Sequence, residues 1–254
     1  MGTPSRLEVT VAPPEAILAM REEYRREMAC QIVHDSWHVR GFTTSYLLLL
    51  HDEVVGYGSV GGAPRDPQDT VKEFYLLPQF RAAALPLFRR LIAVSSARTI
   101  EAQTNDELLL LMLFDCAAEV ASSTILFADK LATAHAPPGA MFRHLSDAER
   151  ARAFPHTHEP VGEYGIECEG AVVATGGFTF HYNPPYADLY MEVATSYRQR
   201  GLGSFLVQEL KRACRQNGRV PAARCDEANV ASRRALQRGG MFPCARIVRG
   251  TIAT

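Results

Sequence analysis

Two similar series of hydrophobic positions follow each other along the chain. The first begins with a helical pattern at residues 14–33 and continues with two β-rich apolar runs, at 43–50 and 54–60, joined by a short polar turn. The second contains an equivalent pair of runs at 162–168 and 171–180. We therefore predict one β-hairpin in each half of the chain.

The likeness between the two halves extends beyond the hairpins. A strand pattern at 71–77 leads into Arg81 and an apolar helix, and a strand pattern at 188–194 leads into Arg198 and another helix. The nearly constant offset predicts the internal duplication of one α+β unit. Each unit reads helix, hairpin, strand, helix, strand, helix, strand, which predicts a mixed sheet with helices on both faces.

A segment rich in alanine and proline, residues 131–140, lies near the midpoint and has the composition of a linker. We therefore predict a first domain at 1–132, a linker at 133–140 and a second domain at 141–254.

Composition narrows the range of partners. The 254 residues include 27 basic and 28 acidic side chains, so the chain lacks the positive field that nucleic acids and anionic membranes attract. The longest apolar runs, 46–50 and 108–114, are far shorter than the ~20 residues of a spanning helix, and the first residues contain no apolar signal core. Six cysteines without a Cys-x-x-Cys pair argue against a metal site or a disulfide framework. We expect a cytoplasmic protein with no metal, nucleic-acid or membrane partner.

One glycine-rich turn carries candidate chemistry. The sequence Arg198-Gln199-Arg200-Gly201-Leu202-Gly203-Ser204 follows a strand pattern and opens a helix whose apolar stripe covers residues 202–214. Free N–H groups and the positive end of the helix dipole meet at such a turn, which favours a bound phosphate. The residues match neither a Walker loop, which needs Gly-Lys-Ser/Thr, nor a dinucleotide fingerprint, which needs glycine in place of Leu206. An ordinary helix start with turn-forming glycines remains an alternative for these seven residues alone.

The order of motifs around this turn resembles the GNAT superfamily of N-acetyltransferases. Val193 precedes Arg198 by five positions, as in the family's Arg/Gln-x-x-Gly-x-Gly/Ala motif, which Gly201 and Gly203 complete. Asn229, after the next strand, and the following Gly240-Met241-Phe242 are similar to the family's Asn and Gly-Phe elements, with Met241 where Phe is more usual. The resemblance covers roughly residues 142–252.

The resemblance implies an α/β fold of tandem GNAT-like units, each a twisted mixed sheet flanked by helices, and acetyl-CoA (CoA) as the cofactor. The backbone of Met191 and Val193 would pair with the pantetheine arm, and the Met191 N–H would polarise the acyl carbonyl. The turn would hold the pyrophosphate, Asn229 would contact the pantetheine arm, and Ser232 would lie close to the sulfur. The implied cofactor-binding residues are Met191, Val193, Arg198, Gln199, Arg200, Gly201, Leu202, Gly203, Ser204, Asn229 and Ser232.

The implied catalytic residues are less complete. Many family members have Tyr seven residues after the Asn as the acid for the leaving thiolate, and this chain has Leu236 there. Ser232, Tyr190 or a water would take that role. Alternation places Asp188, Tyr190 and Glu192 on the polar face of the 188–193 strand, and we predict Glu192 as the base that deprotonates the acceptor amine, since it lies nearest the cofactor slot. A solvated strand carboxylate is the alternative.

The first half has no equivalent of the glycine turn. Aligning Arg81 with Arg198 places Ala84 and Pro86 where the second half has Gly201 and Gly203, and proline has no N–H for a phosphate. We therefore predict a degenerate first domain that keeps the fold without the cofactor.

The leading hypothesis is an N-acyltransferase in which a small-molecule or peptide amine attacks acetyl-CoA directly, working as a monomer or homodimer. The alternatives are a non-catalytic acyl-CoA-binding or regulatory module, and a purely structural interaction protein, which leaves the glycine-arginine turn unexplained.

Overall fold

A computed structural model describes residues 6–62 and 67–253. The strands are β1 Leu7–Ala12, β2 Thr43–Leu50, β3 Glu53–Gly61, β4 Thr70–Leu76, β5 Thr99–Gln103, β6 Ala117–Asp129, β7 Ala140–His144, β8 Tyr164–Cys168, β9 Ala171–Thr179, β10 Tyr186–Val193, β11 Val220–Asp226 and β12 Met241–Ile252. The α-helices are α1 Leu18–Met28, α2 Asp35–Val39, α3 Ala84–Ser95, α4 Glu107–Cys116, α5 Asp147–Arg150, α6 Leu202–Gln216 and α7 Val230–Arg238, and 3-10 turns lie at Pro14–Ile17, Pro78–Ala83 and Thr195–Tyr197. Within the described ranges, no helix combines the length and the apolar character needed to cross a membrane.

The chain divides into two compact units. Unit 1 contains the residues up to 123 together with those from 246 onward, and unit 2 contains residues 124–245. The predicted boundaries differ, because they assign the whole C-terminus to the second domain. In the structure, Ile247–Thr251 of β12 pair with β5 of unit 1. A strand joins whichever edge offers free backbone groups, and sequence position alone does not decide which edge that is.

Unit 1 is built on a mixed sheet in the order β1-β2-β3-β4-β5-β12. The β2–β3 hairpin confirms the apolar runs predicted at 43–50 and 54–60. Strands β4 and β5 are parallel, but their pairing is limited to Thr70–Thr99 and Val71–Ile100. Beyond these two pairs β4 continues to Leu76 without β5 as a partner.

Charged residues are buried together in unit 1. The Arg21 guanidinium donates to Glu73 at 3.1 Å and to Asp35 at 2.9 Å, and the Tyr57 hydroxyl donates to Glu73 at 2.8 Å. Arg21 is 3% exposed and Glu73 is fully buried. The Arg21 guanidinium, aided by His38, holds the pKa of Glu73 well below its usual range despite the opposing effect of burial. The core of this unit therefore contains an ion pair that is satisfied from several sides.

The predicted first helix is shorter in the structure. A 3-10 turn and α1 together cover residues 14–28, and Ala29 then adopts a left-handed conformation with φ of 48°. Its N–H bonds the carbonyl of Arg25, which closes the helix. The apolar positions at 30–33 therefore lie outside the helix.

Unit 2 repeats the same order of elements around its own mixed sheet, β6-β11-β10-β9-β8-β7. The β8–β9 hairpin confirms the runs predicted at 162–168 and 171–180. Helix α6 packs its apolar stripe on the sheet, with Leu206 and Leu210 fully buried. In both units a strand, a 3-10 turn and a helix follow the hairpin, as the duplication predicts.

Candidate functional site

Strands β10 and β11 of unit 2 separate after a short parallel stretch. Their pairing ends at Asp188 and Ala222, whereas β10 stays paired with β9 as far as Val193. On that side the N–H of Ala194 bonds the carbonyl of Val173 at 2.9 Å. Because backbone groups alternate in direction along a strand, those of Met191 and Val193 point away from β9, into the gap. The gap therefore exposes strand backbone at the two positions where the sequence predicts cofactor pairing.

The glycine turn closes one end of this gap. Gln199 and Gly201 both have left-handed backbones, with φ of 64° and 79°, and they turn the chain into α6. The first helical bond runs from the Phe205 N–H to the Gly201 carbonyl at 3.1 Å. The N–H groups of Leu202, Gly203 and Ser204 precede it, so they have no partner within the helix. Three N–H groups and the positive end of a 15-residue helix thus form an anion-binding arrangement.

The two glycines of the turn have different surroundings. A Cβ on Gly203 would lie 3.5 Å from Ala235 Cβ and 3.5 Å from Met191 Cε, which is ordinary contact. A Cβ on Gly201 would lie 2.7 Å from Nε2 of His135, and the positive φ adds strain. The backbone of His135 is bound on both sides to the Gln208 side chain, at 2.8 and 3.1 Å. The segment that the sequence predicts as a linker therefore packs on α6 next to the turn.

The two arginines of the turn are exposed. Arg198 donates through Nε to the Val193 carbonyl at 3.1 Å, and Arg200 lies over the ring of Tyr197 at 4.9 Å. The Val193 carbonyl is thus bound by Arg198, which leaves its N–H as the backbone group open to a ligand. Arg198 also lies 3.9 Å from the Glu192 carboxylate through Nη2.

Helix α7 places the predicted Asn229 and Ser232 in its first turn. Asn229 Oδ1 accepts the Ser232 N–H at 3.0 Å and caps the helix, so its amide nitrogen remains as the donor for a ligand. The Ser232 hydroxyl lies beside the thiol of Cys225, whose pKa is raised by burial. Leu236, at the position where the family often has tyrosine, is 4% exposed and belongs to the core.

Glu192, the predicted base, is bound by a loop. Its carboxylate accepts the N–H groups of Thr157, His158 and Glu159 at 3.0 to 3.3 Å, and the Thr157 hydroxyl at 3.0 Å. Burial raises the pKa of Glu192, but these backbone donors outweigh it and hold the pKa at about 2. Such a carboxylate is a weak base and a strong anchor for residues 157–159. Its catalytic role stays a prediction.

Asp188 lies on the same face of β10 as Glu192, but its pKa is raised where that of Glu192 is lowered. It lies at the last β10–β11 pair, where the gap begins, and it is 8% exposed. Burial raises the pKa of Asp188 to about 6, although Arg224, with Nε 3.5 Å from its carboxylate, opposes the shift. The buried Tyr182 hydroxyl lies beside it, and the charge of Glu159 acts on it. A carboxylate with this pKa is a stronger base than an ordinary aspartate. The sequence places it on the polar face but contains no signal of its burial.

Tyr190, the third member of this face, is half-buried, and burial raises the pKa of its phenol. Its Oη lies 2.7 Å from where a Cβ on Gly177 would be, so the glycine makes room for the ring. Leu189 on the opposite face is in the core beside α6, which confirms the predicted alternation.

Comparisons with known proteins agree with this geometry. Residues 130–241 match the model of the Acetyltransferase (GNAT) family. No curated protein sequence matches the chain.

Solved structures extend the likeness to the whole chain. An acetyltransferase of the GNAT family from Colwellia psychrerythraea is 18% identical with a TM-score of 0.72, over 97% of this chain and 100% of its own. A GCN5-related N-acetyltransferase from Sphaerobacter thermophilus is 17% identical with a TM-score of 0.64, over 100% and 98%. A tandem GNAT protein from the clavulanic acid biosynthesis pathway is 12% identical with a TM-score of 0.60, over 97% and 98%. The predicted fold of tandem GNAT-like units with twisted mixed sheets is thereby confirmed.

Proposed function

We propose that the protein is an acetyl-CoA-dependent N-acetyltransferase that binds its cofactor in unit 2 and acetylates an amine. The observation that carries this proposal is the gap between β10 and β11, which ends at the free N–H groups of α6. An extended pantetheine arm fits exposed strand backbone, and a pyrophosphate fits a helix start with two arginines. We assign the cofactor contacts to the residues that the sequence predicts, from Met191 to Ser232.

Acetyl-CoA, when bound, supplies the acyl group as a thioester. Within unit 2, we assign Asp188 as the base that takes a proton from the acceptor ammonium. The free amine would then attack the thioester carbonyl carbon as the carbon–sulfur bond breaks, and the extra proton on its nitrogen would pass to the departing sulfur, which leaves an amide and the free thiol of CoA. The Met191 N–H donates to the carbonyl oxygen, where negative charge develops. The charges of Asp188 and Glu159 repel each other beside Arg224, so a cationic acceptor would relieve this repulsion at this end of the gap.

A non-catalytic CoA-binding module is the second candidate, and the apolar Leu236 favours it. Free thiol released from acetyl-CoA, measured over a panel of small amines and peptides, separates the two. Amine-dependent release supports the enzyme. CoA binding without release for any acceptor supports the module.

We expect one CoA site per chain, because Pro86 in the first turn of α3 lacks the N–H that Gly203 provides in α6. Calorimetric titration of the full chain should give a stoichiometry of one. A stoichiometry of two would show that unit 1 binds CoA despite its proline.

We expect Gly203→Pro to weaken CoA binding by about 10–100-fold, because it removes one N–H facing a charged group, worth roughly 1.5–3 kcal/mol. Pro86 shows that this chain already contains a proline in a first helical turn. The measurement is the dissociation constant by calorimetry, with far-UV circular dichroism to verify the fold.

Gly203→Ala is the matched control. It keeps the N–H and adds a Cβ where there is room, so its CoA affinity should stay near that of the wild type. Equal affinity in a folded proline variant would place the phosphates elsewhere.

A further inference from the structure

Unit 1 contains a cavity of its own, which the proposed reaction does not use. Its volume is about 310 Å³, enough for a small ligand. It opens where β4 continues beyond its last pair with β5. Its walls come from α1, β4, the 3-10 turn after β4 and the start of α4, and the lining residues are Tyr24, Glu27, Met28, Phe74, Tyr75, Arg81, Asn105, Asp106, Glu107 and Leu108.

The walls combine carboxylates with aromatic rings. The lining contains three carboxylates, those of Glu27, Asp106 and Glu107, and one guanidinium, that of Arg81, so it is negative overall. Asp106 is 4% exposed and accepts the Tyr24 hydroxyl at 2.8 Å and the Leu109 N–H at 3.2 Å. Within the described part of the chain, no basic side chain pairs with Asp106 or Glu107. A buried carboxylate without a cationic partner favours a ligand that brings one.

One side chain of the cavity wall, that of Arg81, is itself an organic cation. The Arg81 guanidinium donates to both oxygens of Glu27 at 2.5 Å and lies 5.9 Å from the ring centre of Tyr75. A carboxylate and a ring face are the two groups that stabilise a cation there. Asp106 and the ring of Tyr24, whose centre is 6.0 Å from that of Tyr75, offer the same pair of groups without a cation.

An anionic ligand does not fit the cavity. Its one guanidinium is neutralised by Glu27, and its Nε donates to the Leu76 carbonyl at 3.3 Å. Asp106 also occupies the N-cap of α4, where a phosphate would otherwise bind. The three carboxylates would repel it.

We propose that unit 1 binds a small organic cation, a primary amine or guanidine, between Asp106 and the rings of Tyr24 and Tyr75. The hydrocarbon part of the ligand lies against Met28, Phe74 and Leu108. The inference does not depend on acetyl transfer in unit 2.

The test is a binding measurement on the full chain without CoA. Phenethylamine and agmatine are the cationic probes, 2-phenylethanol is the neutral match and 3-phenylpropionate is the anionic match. Binding is followed by titration in ¹⁵N-labelled protein, so that amide shifts locate the site. We expect the amines to shift the amides of residues 105–109 and to bind at least ~10-fold more tightly than the alcohol, and the acid not to bind there.

Variants of the cavity wall decide the role of Asp106. Asp106→Asn keeps the helix cap but removes the charge, and it should weaken amine binding by about 10–100-fold without affecting the alcohol. Asp115→Asn, in the last turn of the same helix, should change nothing. Glu107→Gln, an exposed wall residue, should weaken amine binding by a few-fold and serves if Asp106→Asn does not fold.

Four outcomes would each overturn the proposal. The first two are equal binding of amine and alcohol, and preferential binding of the acid. The other two are amide shifts confined to unit 2, and an amine affinity that neither Asp106→Asn nor Glu107→Gln changes. Amine binding in unit 2 alone would leave the acetyltransferase proposal intact, so the two proposals fail separately.

Discussion

We expect Asp188→Asn to lower the turnover of acetyl transfer by about 10²–10⁴-fold while the dissociation constant of CoA stays unchanged. Asparagine keeps the shape of the side chain but cannot take a proton from the acceptor ammonium. CoA affinity should not change, because the proposed phosphate contacts lie at the other end of the gap, at the start of α6. The measurement is steady-state thiol release with a fixed acceptor, combined with CoA calorimetry.

The pH profile gives a second, independent signature. Burial places the pKa of Asp188 at about 6, and a base acts only when it is unprotonated. Turnover should therefore rise about tenfold per pH unit below pH 6 and level off above it. The Asp188→Asn variant should lack this rise in turnover with pH. Tyr182→Phe should shift the pH at which turnover levels off, since the Tyr182 hydroxyl lies beside the carboxylate.

Glu192→Gln is the competing variant. With a pKa of about 2 and four hydrogen-bond donors, Glu192 should act mainly as the anchor of residues 157–159. The Glu192→Gln variant should therefore keep the rise in turnover near pH 6. Asp147→Asn, at a fully exposed carboxylate, controls for loss of charge alone. If Glu192→Gln loses both turnover and the rise in turnover near pH 6 while Asp188→Asn behaves as the wild type, the base is Glu192, as its place nearest the cofactor slot predicts.

We expect Arg21→Met to lower the free energy of unfolding by about 3–5 kcal/mol, the cost of leaving a buried charge without its partner. Glu73 is fully buried and depends on Arg21 for its ionised form, and Asp35 loses a bond at 2.9 Å. The measurement is urea unfolding followed by tryptophan fluorescence, since Trp37 is the single tryptophan of the chain and lies in unit 1.

Arg26→Met on the same helix is the matched control. Arg26 pairs with Glu23 at the surface, where ion pairs contribute about 0–1 kcal/mol. The double variant Arg21→Met/Glu73→Gln should recover part of the loss, because it removes both charges. A loss below 1 kcal/mol for Arg21→Met would mean that water or a rearranged neighbour compensates for the missing guanidinium.

Local sequence patterns determine most of the strands and helices of this protein. The two hairpins were predictable because runs rich in apolar and β-branched residues are joined there by short polar turns, and α6 because its apolar stripe repeats with helical spacing. The end of α1 was not predictable from periodicity. Apolar residues continue to 33, but the chain turns at Ala29, a residue type that gives no stop signal.

In the candidate site, too, some features can be predicted from the sequence and others cannot. The glycine turn is visible in sequence because Gly201 needs a positive φ just before the helix, which is a local requirement. The basicity of the carboxylates is not visible. Asp188 and Glu192 lie four residues apart on one strand face, and their pKa values of about 6 and about 2 are set by burial and by the donors of residues 157–159. Those donors come from a loop more than 30 residues away along the chain.

The sequence by itself determined the class of fold, the repeated order of elements and the position of the glycine turn, because each follows from residue types at short spacing. Only the tertiary structure decided which unit the last strand joins, where Asp106 acquires its cavity and which carboxylate of β10 is basic. These features depend on contacts between residues far apart in the chain. Their energies come from desolvation and charge proximity, which arise when the chain has folded.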